Sequence, residues 1–166
     1  MQKKETEKQF ENHISQNELL ISKVCRIYAY TNADRKDLFQ EIVIQLWKAY
    51  PKFKGEAAFS TWLYRVAINT AITRLRKEKY FITSYEPAAL PVAVWDEAEG
   101  ETAEEQWQQL YAAIEQLNQI EKAIILLYME DTSYAAMEDI LGISQGNLRV
   151  KMNRIKEKLR ELTNNN

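Results

Sequence analysis

Residues 133–156 read SYAAMEDILGISQGNLRVKMNRIK. Ser133 is placed to cap a helix that turns Met137, Ile140 and Leu141 inward. Gly142 supplies a left-handed residue without a Cβ penalty, which ends that helix. Ile143 plugs the corner, and Ser144 caps a second helix after a very short turn. A helix, a Gly-containing turn and a second helix is the geometry that lays a helix in the major groove of DNA.

The second helix divides cleanly when rotated by about 3.6 residues per turn. Leu148, Met152, Ile155, Leu159 and Leu162 form one apolar stripe. Asn147, Arg149, Val150, Lys151, Asn153 and Arg154 lie away from it, near the N-terminal end that reaches base edges. Arg and Asn make bidentate contacts to guanine and adenine, and Val150 suits a thymine methyl. Lys156, Lys158 and Arg160 are expected at phosphates or in solvent.

Working back towards the N-terminus, the spacing predicts helices at about 103–117, 119–130, 133–141 and 145–162. Residues 82–101 hold Pro87, Pro91 and a row of acids with weak periodicity, so they read as a flexible acidic linker. Before it, one helical pattern covers about 5–30 with a break near Ser15. A second, capped by Asn32 or Asp34, runs to Tyr50 with Leu38, Ile42, Leu46, Trp47 and Tyr50 on one stripe. Pro51 ends it, and Ser60 is placed to cap a helix from Thr61 to about Tyr80. The reading is therefore all-α: an N-terminal helical domain at 1–81, the linker at 82–101, and a C-terminal helix-turn-helix domain at 102–166. Four Gly and three Pro in 166 residues favour long helices over a many-stranded sheet.

The helix after Ser60 has two faces. Leu63, Ala67, Ala71 and Leu75 repeat every four residues and point inward. Trp62, Arg65, Asn69, Thr73 and Arg76 form an aromatic, cationic and amide-bearing strip suited to phosphates and bases. The loop before it carries Lys52, Phe53, Lys54, Gly55 and Phe59, residue types that build a pocket for an unstacked base.

The formal net charge of −2 argues against nucleic-acid binding only if charge is taken as a total. No Lys or Arg lies between Lys79 and Lys122, a gap rich in acids, so the cations gather on either side of it. The polar N-terminus does not read as a signal peptide, and no run of about eighteen apolar residues suggests a membrane span, so neither is expected. Cys25 lies in an apolar helical stretch and is expected in a core; it has no partner cysteine for a disulfide. His13 has no matching ligand cluster, so neither a metal nor a cofactor is expected. These features place the chain in a reducing compartment, most simply the cytoplasm. Without a phosphate loop or a nucleophile paired to a base, an enzyme is not expected.

Three ordered motifs resemble bacterial RNA polymerase sigma factors of the extracytoplasmic-function class. DLFQEIVIQLWKAY (37–50) resembles the family's polymerase-binding helix, FSTWLYRVAIN (59–69) with RLRK (74–77) its −10 region, and residues 133–159 its −35 helix-turn-helix. The resemblance implies binding to core RNA polymerase through Asp37, Gln40, Glu41, Gln45 and Trp47, against the clamp coiled coil of the largest subunit. It implies −35 reading by Asn147, Arg149, Val150, Lys151, Asn153 and Arg154. It also implies −10 capture and melting by Lys54, Phe59, Trp62, Arg65, Asn69, Thr73 and Arg76. An anti-sigma factor is an implied partner, and the acidic linker would run near the polymerase channels. One departure stands out: Ala136-Met137-Glu138 occupies positions where the family usually has Glu-Ile-Ala, so Glu138 is expected to point outward or widen the helix crossing.

Two other readings remain open from the residues alone. A stand-alone regulator would dimerise on symmetric half-sites and ignore polymerase. A helical adaptor would use Trp47, Trp62 and Trp107 to hold a protein and would start no transcripts.

Overall fold

The computed structural model describes residues 1–84 and 102–164. The described residues are helical with short connections, in eight α-helices and one 3-10 turn. The chain divides into two compact units, Met1–Glu86 and Pro87–Asn166.

In the N-terminal unit, α1 spans Gln2–Gln16 and α2 spans Glu18–Tyr28. The expected break falls at Asn17, whose φ of −118° and ψ of 16° are not helical. Helix α3 runs Asn32–Ala49. Its cap is Thr31 rather than Asn32 or Asp34: the Thr31 hydroxyl accepts from the Asp34 amide at 3.1 Å. Asp34 instead sits in the first turn, where its charge favours the helix dipole. A single 3-10 turn, Tyr50–Lys52, follows, and α4 spans Phe59–Ser84. Ser60 does not cap α4. The Trp62 amide donates to the Ala58 carbonyl, so helical bonding starts before Ser60. The helix also continues past Tyr80 into the segment assigned to the linker; the rest of that segment, 85–101, lies outside the described residues.

Helices α2, α3 and α4 enclose the first core. Ile21, Val24, Leu38, Ile42, Leu46, Leu63 and Ala67 are buried there. Leu75, expected inside, is half-buried near the end of the packed region. Cys25 is buried as expected, and burial pushes its thiol up to about 11 from 9.0, so it is an inert core residue. Burial likewise raises the Tyr28 phenol above its ordinary range.

The C-terminal unit holds α5 (Thr102–Glu115), α6 (Gln119–Met129), α7 (Tyr134–Leu141) and α8 (Gln145–Asn164). A capping box starts α6: the Asn118 side chain accepts from the Glu121 amide at 2.8 Å, and the Glu121 carboxylate accepts from the Asn118 amide at 3.0 Å. Two left-handed residues end consecutive helices. Asp131 at φ 55° closes α6, with Thr132 and Asp131 amides donating to the Leu127 and Tyr128 carbonyls. Gly142 at φ 70° closes α7, its amide donating to Glu138 at 2.8 Å. Helices α5, α6 and α7 all pack on α8.

Candidate nucleic-acid interface

The turn between α7 and α8 is shaped by neighbouring residues. The Ser133 hydroxyl accepts from Ala136 at 3.1 Å, and Ser144 accepts from Asn147 at 3.4 Å. Both caps stand where the side chains predict them. Met137 and Ile140 are buried beneath α8, while Leu141 and Ile143 are half-buried at the corner. From α8, Leu148, Met152, Ile155 and Leu159 complete the core, and Leu162, in the last turns of the helix, is half-buried rather than inside. Glu138 is half-exposed, while Met137 and Met152 are fully buried.

That stripe turns the other side of α8 outward. Asn147, Arg149, Val150, Lys151, Asn153 and Arg154 are all exposed. Val150, an apolar residue 51% exposed in the middle of a polar helix face, has no packing reason to be there. Arg149 is steadied from below: its guanidinium lies over the Tyr134 ring, 5.0 Å from the centroid. Two lysines behave differently from expectation. Lys158 reaches the Glu121 carboxylate at 3.3 Å, and Lys156 lies 4.6 Å from the Tyr128 ring centroid. Both cations fasten α8 to α6, because that flank of α8 faces an acid and an aromatic ring.

The second surface lies in the N-terminal unit. Arg65, Asn69, Thr73 and Arg76 are exposed along one side of α4, and Trp62 is half-buried at its start. In the connection before it, residues 54–58 are exposed, and Gly55 takes a left-handed φ of 71°. Lys54 is therefore in solvent, but Phe59 and Trp62 are not free-standing platforms. Phe53, Phe59 and Trp62 form a triangle of rings with centroids 5.1–5.5 Å apart. The His13 ring covers Phe59 at 4.5 Å, and Tyr50 lies 6.4 Å from Trp62. The sequence reading missed the contribution of α1 to this cluster. Phe10 is buried against Trp47 at 4.9 Å and Tyr50 at 5.1 Å. Only the presence of two aromatic rings one turn apart on an otherwise polar helix hinted at it.

On α3, Asp37, Gln40 and Trp47 are exposed, and Glu41 and Gln45 are half-exposed. Trp47 and Tyr50 do not continue the buried stripe as expected. Trp47 is 38% exposed, and Tyr50, the first residue of the 3-10 turn, is half-buried with its ring against Phe10 of α1. Glu41 lies 3.9 Å from Arg74 of α4. Ile44, 51% exposed, joins Gln40, Glu41 and Trp47 on the same strip. The sequence alone did not single it out, because an isoleucine in an apolar helix reads as core.

Comparison with known proteins fits both halves. The family profile for sigma-70 region 2 matches residues 13–80, and that for sigma-70 region 4 matches 107–159. The chain belongs to the sigma-70 family. Its relatives are extracytoplasmic-function sigma factors. The Bacillus subtilis factor SigW is 27% identical over 143 residues, covering 77% of this chain and 74% of SigW. The Mycobacterium tuberculosis factor SigG is 48% identical over 42 residues, but that match spans 25% of this chain and only 11% of SigG. Among solved structures, the sigma factor RpoE of Bartonella quintana, in complex with the anti-sigma factor NepR, superposes with a TM-score of 0.78 at 18% identity. The alignment covers 93% of this sigma factor and 96% of RpoE, so the fold is shared where sequence identity is low. Among the described residues, no helix is long and apolar enough to cross a membrane, and no cluster of three metal-binding side chains occurs.

Proposed function

We propose that this sigma factor binds core RNA polymerase and directs it to specific promoters, its N-terminal unit handling the −10 element and its C-terminal unit reading the −35 element. The observation that carries this reading is the surface of α8. A fully packed stripe leaves Asn147, Arg149, Val150, Lys151, Asn153 and Arg154 exposed together behind a Gly-ended turn. That is the composition and placement of a major-groove reader. The α4 strip of Arg65, Asn69, Thr73 and Arg76, with Trp62 and Phe59 at its head and Lys54 in the loop, suits an unpaired strand: cations for phosphates, rings for bases. Asp37, Gln40, Glu41, Gln45 and Trp47, joined by Ile44, form the polymerase-docking strip. The catalytic chemistry then belongs to the polymerase, not to this chain.

An anti-sigma factor is a further partner on this reading, by analogy with the RpoE complex with NepR. The cytoplasm is the corresponding site of action. The deciding experiment is transcription in vitro with purified core polymerase over a library of genomic fragments. Discrete, factor-dependent start sites sharing −35 and −10 sequences are expected. A chain that dimerises, binds duplex DNA alone and ignores polymerase would sink the proposal.

A further inference from the structure

We propose that α1 is a strut for the 53–59 loop, and that His13 is a positioning residue for promoter opening, holding Phe59 and the loop in the shape that receives an unpaired base. The inference rests on the sigma-factor reading above and extends it to residues at the edge of, or outside, the segment matched by the region 2 profile, which starts at residue 13.

Among the described residues, little else holds the loop. Residues 54–58 are exposed, and backbone bonds secure its two ends: Phe53 donates to Tyr50 at 3.0 Å, and Trp62 donates to Ala58 at 3.2 Å. Between those ends, the loop's aromatic side chains are its anchors. Phe53 and Phe59 pack on each other and on Trp62. That triangle needs a backing, and α1 provides it. His13 lies against Phe59 at 4.5 Å, in a tilted stack of 36°. Its Nδ1 shares a hydrogen bond of 3.2 Å with the Tyr50 hydroxyl. Phe10, one turn earlier, is buried on Trp47 and Tyr50 and sets the height of α1 against α3. A single imidazole thus joins the end of α3 to the start of α4 across the base of the loop. A ring that captures a base must be held rigid beforehand, since ordering it at the moment of binding weakens the capture.

Two readouts test this with the full-length chain. The first is tryptic nicking at Lys52 and Lys54, both exposed in the free protein. His13→Ala removes the stack and the hydrogen bond and should speed nicking there about three- to tenfold, the scale of one lost aromatic contact. Cleavage at the lysines of α8 should not change. His13→Asn keeps a polar partner for Tyr50 but loses the stack, and should fall between wild type and Ala. The second readout uses holoenzyme on a promoter fragment recovered from the genomic library, as a duplex and with its −10 segment premelted by mismatches. His13→Ala should slow initiation from the duplex by about three- to tenfold and slow the premelted template less. Unchanged nicking overturns the strut. Faster nicking with duplex initiation at the wild-type rate overturns the role in opening. A wild-type chain that starts no transcripts overturns the sigma-factor reading, and the opening role with it, while the nicking arm still reports on the strut. Phe10→Ala is the second variant: it should speed the same two cleavages, and if it unfolds the unit the His13 series still decides.

Discussion

Helix α8 and the loop-and-helix surface at 53–76 both present cations and large side chains, yet their local geometry is set in different ways. Around α8 the turn itself is shaped by residues near in sequence, Ser133, Gly142 and Ser144, with Tyr134 steadying Arg149, while α5 and α6 back the helix. Around Phe59 and Trp62 the supports come from afar, with His13 and Phe10 reaching the cluster from the first helix. A motif supported by its neighbours is legible as a pattern. A surface supported by a distant helix emerges only once the chain has folded.

The comparison breaks most severely if the α8 stripe proves dispensable. Leu148 is fully buried, so Leu148→Ala should destabilise the C-terminal unit by about 3 kcal/mol. Urea unfolding followed by hydrogen exchange of the α8 amides measures it, and a loss below about 1 kcal/mol would mean the stripe does not organise this unit. Next in size, replacing Arg149 or Arg154 by Ala should weaken promoter binding by about 1–3 kcal/mol and relax preference at one −35 position. Competition binding with single-base variants reads this directly; equal weakening on every sequence would move that arginine to a phosphate.

The turn gives a smaller effect. Gly142→Ala forces an L side chain into φ 70° and should cost about 1–2 kcal/mol, although nothing lies within 4 Å of the added methyl. The reverse change at the neighbouring turn, Asp131→Gly, should stabilise by up to about 1 kcal/mol, since Asp131 holds a similar φ of 55°. Opposite signs in one thermal-unfolding series would show that backbone conformation, not packing, sets both positions. Smallest of all, Lys158→Ala breaks an exposed pair with Glu121 and should change stability by less than about 0.5 kcal/mol.

What was readable from the chain follows the same division. The buried stripe of α8, both serine caps and the left-handed Gly142 were visible because helical periodicity and capping are properties of residues a few positions apart. The exposed strip of α4 was visible for the same reason. Errors gathered where elements meet. Thr31 displaced Asn32 and Asp34 as the cap, and Phe59, fixed by distant rings, sits in the first turn of a helix expected to start after it. Lys156 reaches the Tyr128 ring, and Lys158, still exposed, pairs with Glu121, because those side chains of α6 are there to receive them.

By itself, then, the sequence determined an all-helical chain with a packed helix-turn-helix, and which residues of α4 and α8 face outward with cations. Tertiary structure alone decided that Trp47 and Ile44 stay exposed on α3, that Trp62 and Phe59 share a half-buried cluster, and that His13 bridges it. The reason is physical: periodicity records which side of a helix is apolar, but an aromatic ring is apolar on either side of an interface. Only the neighbours that reach it from elsewhere determine whether it is buried, displayed or both.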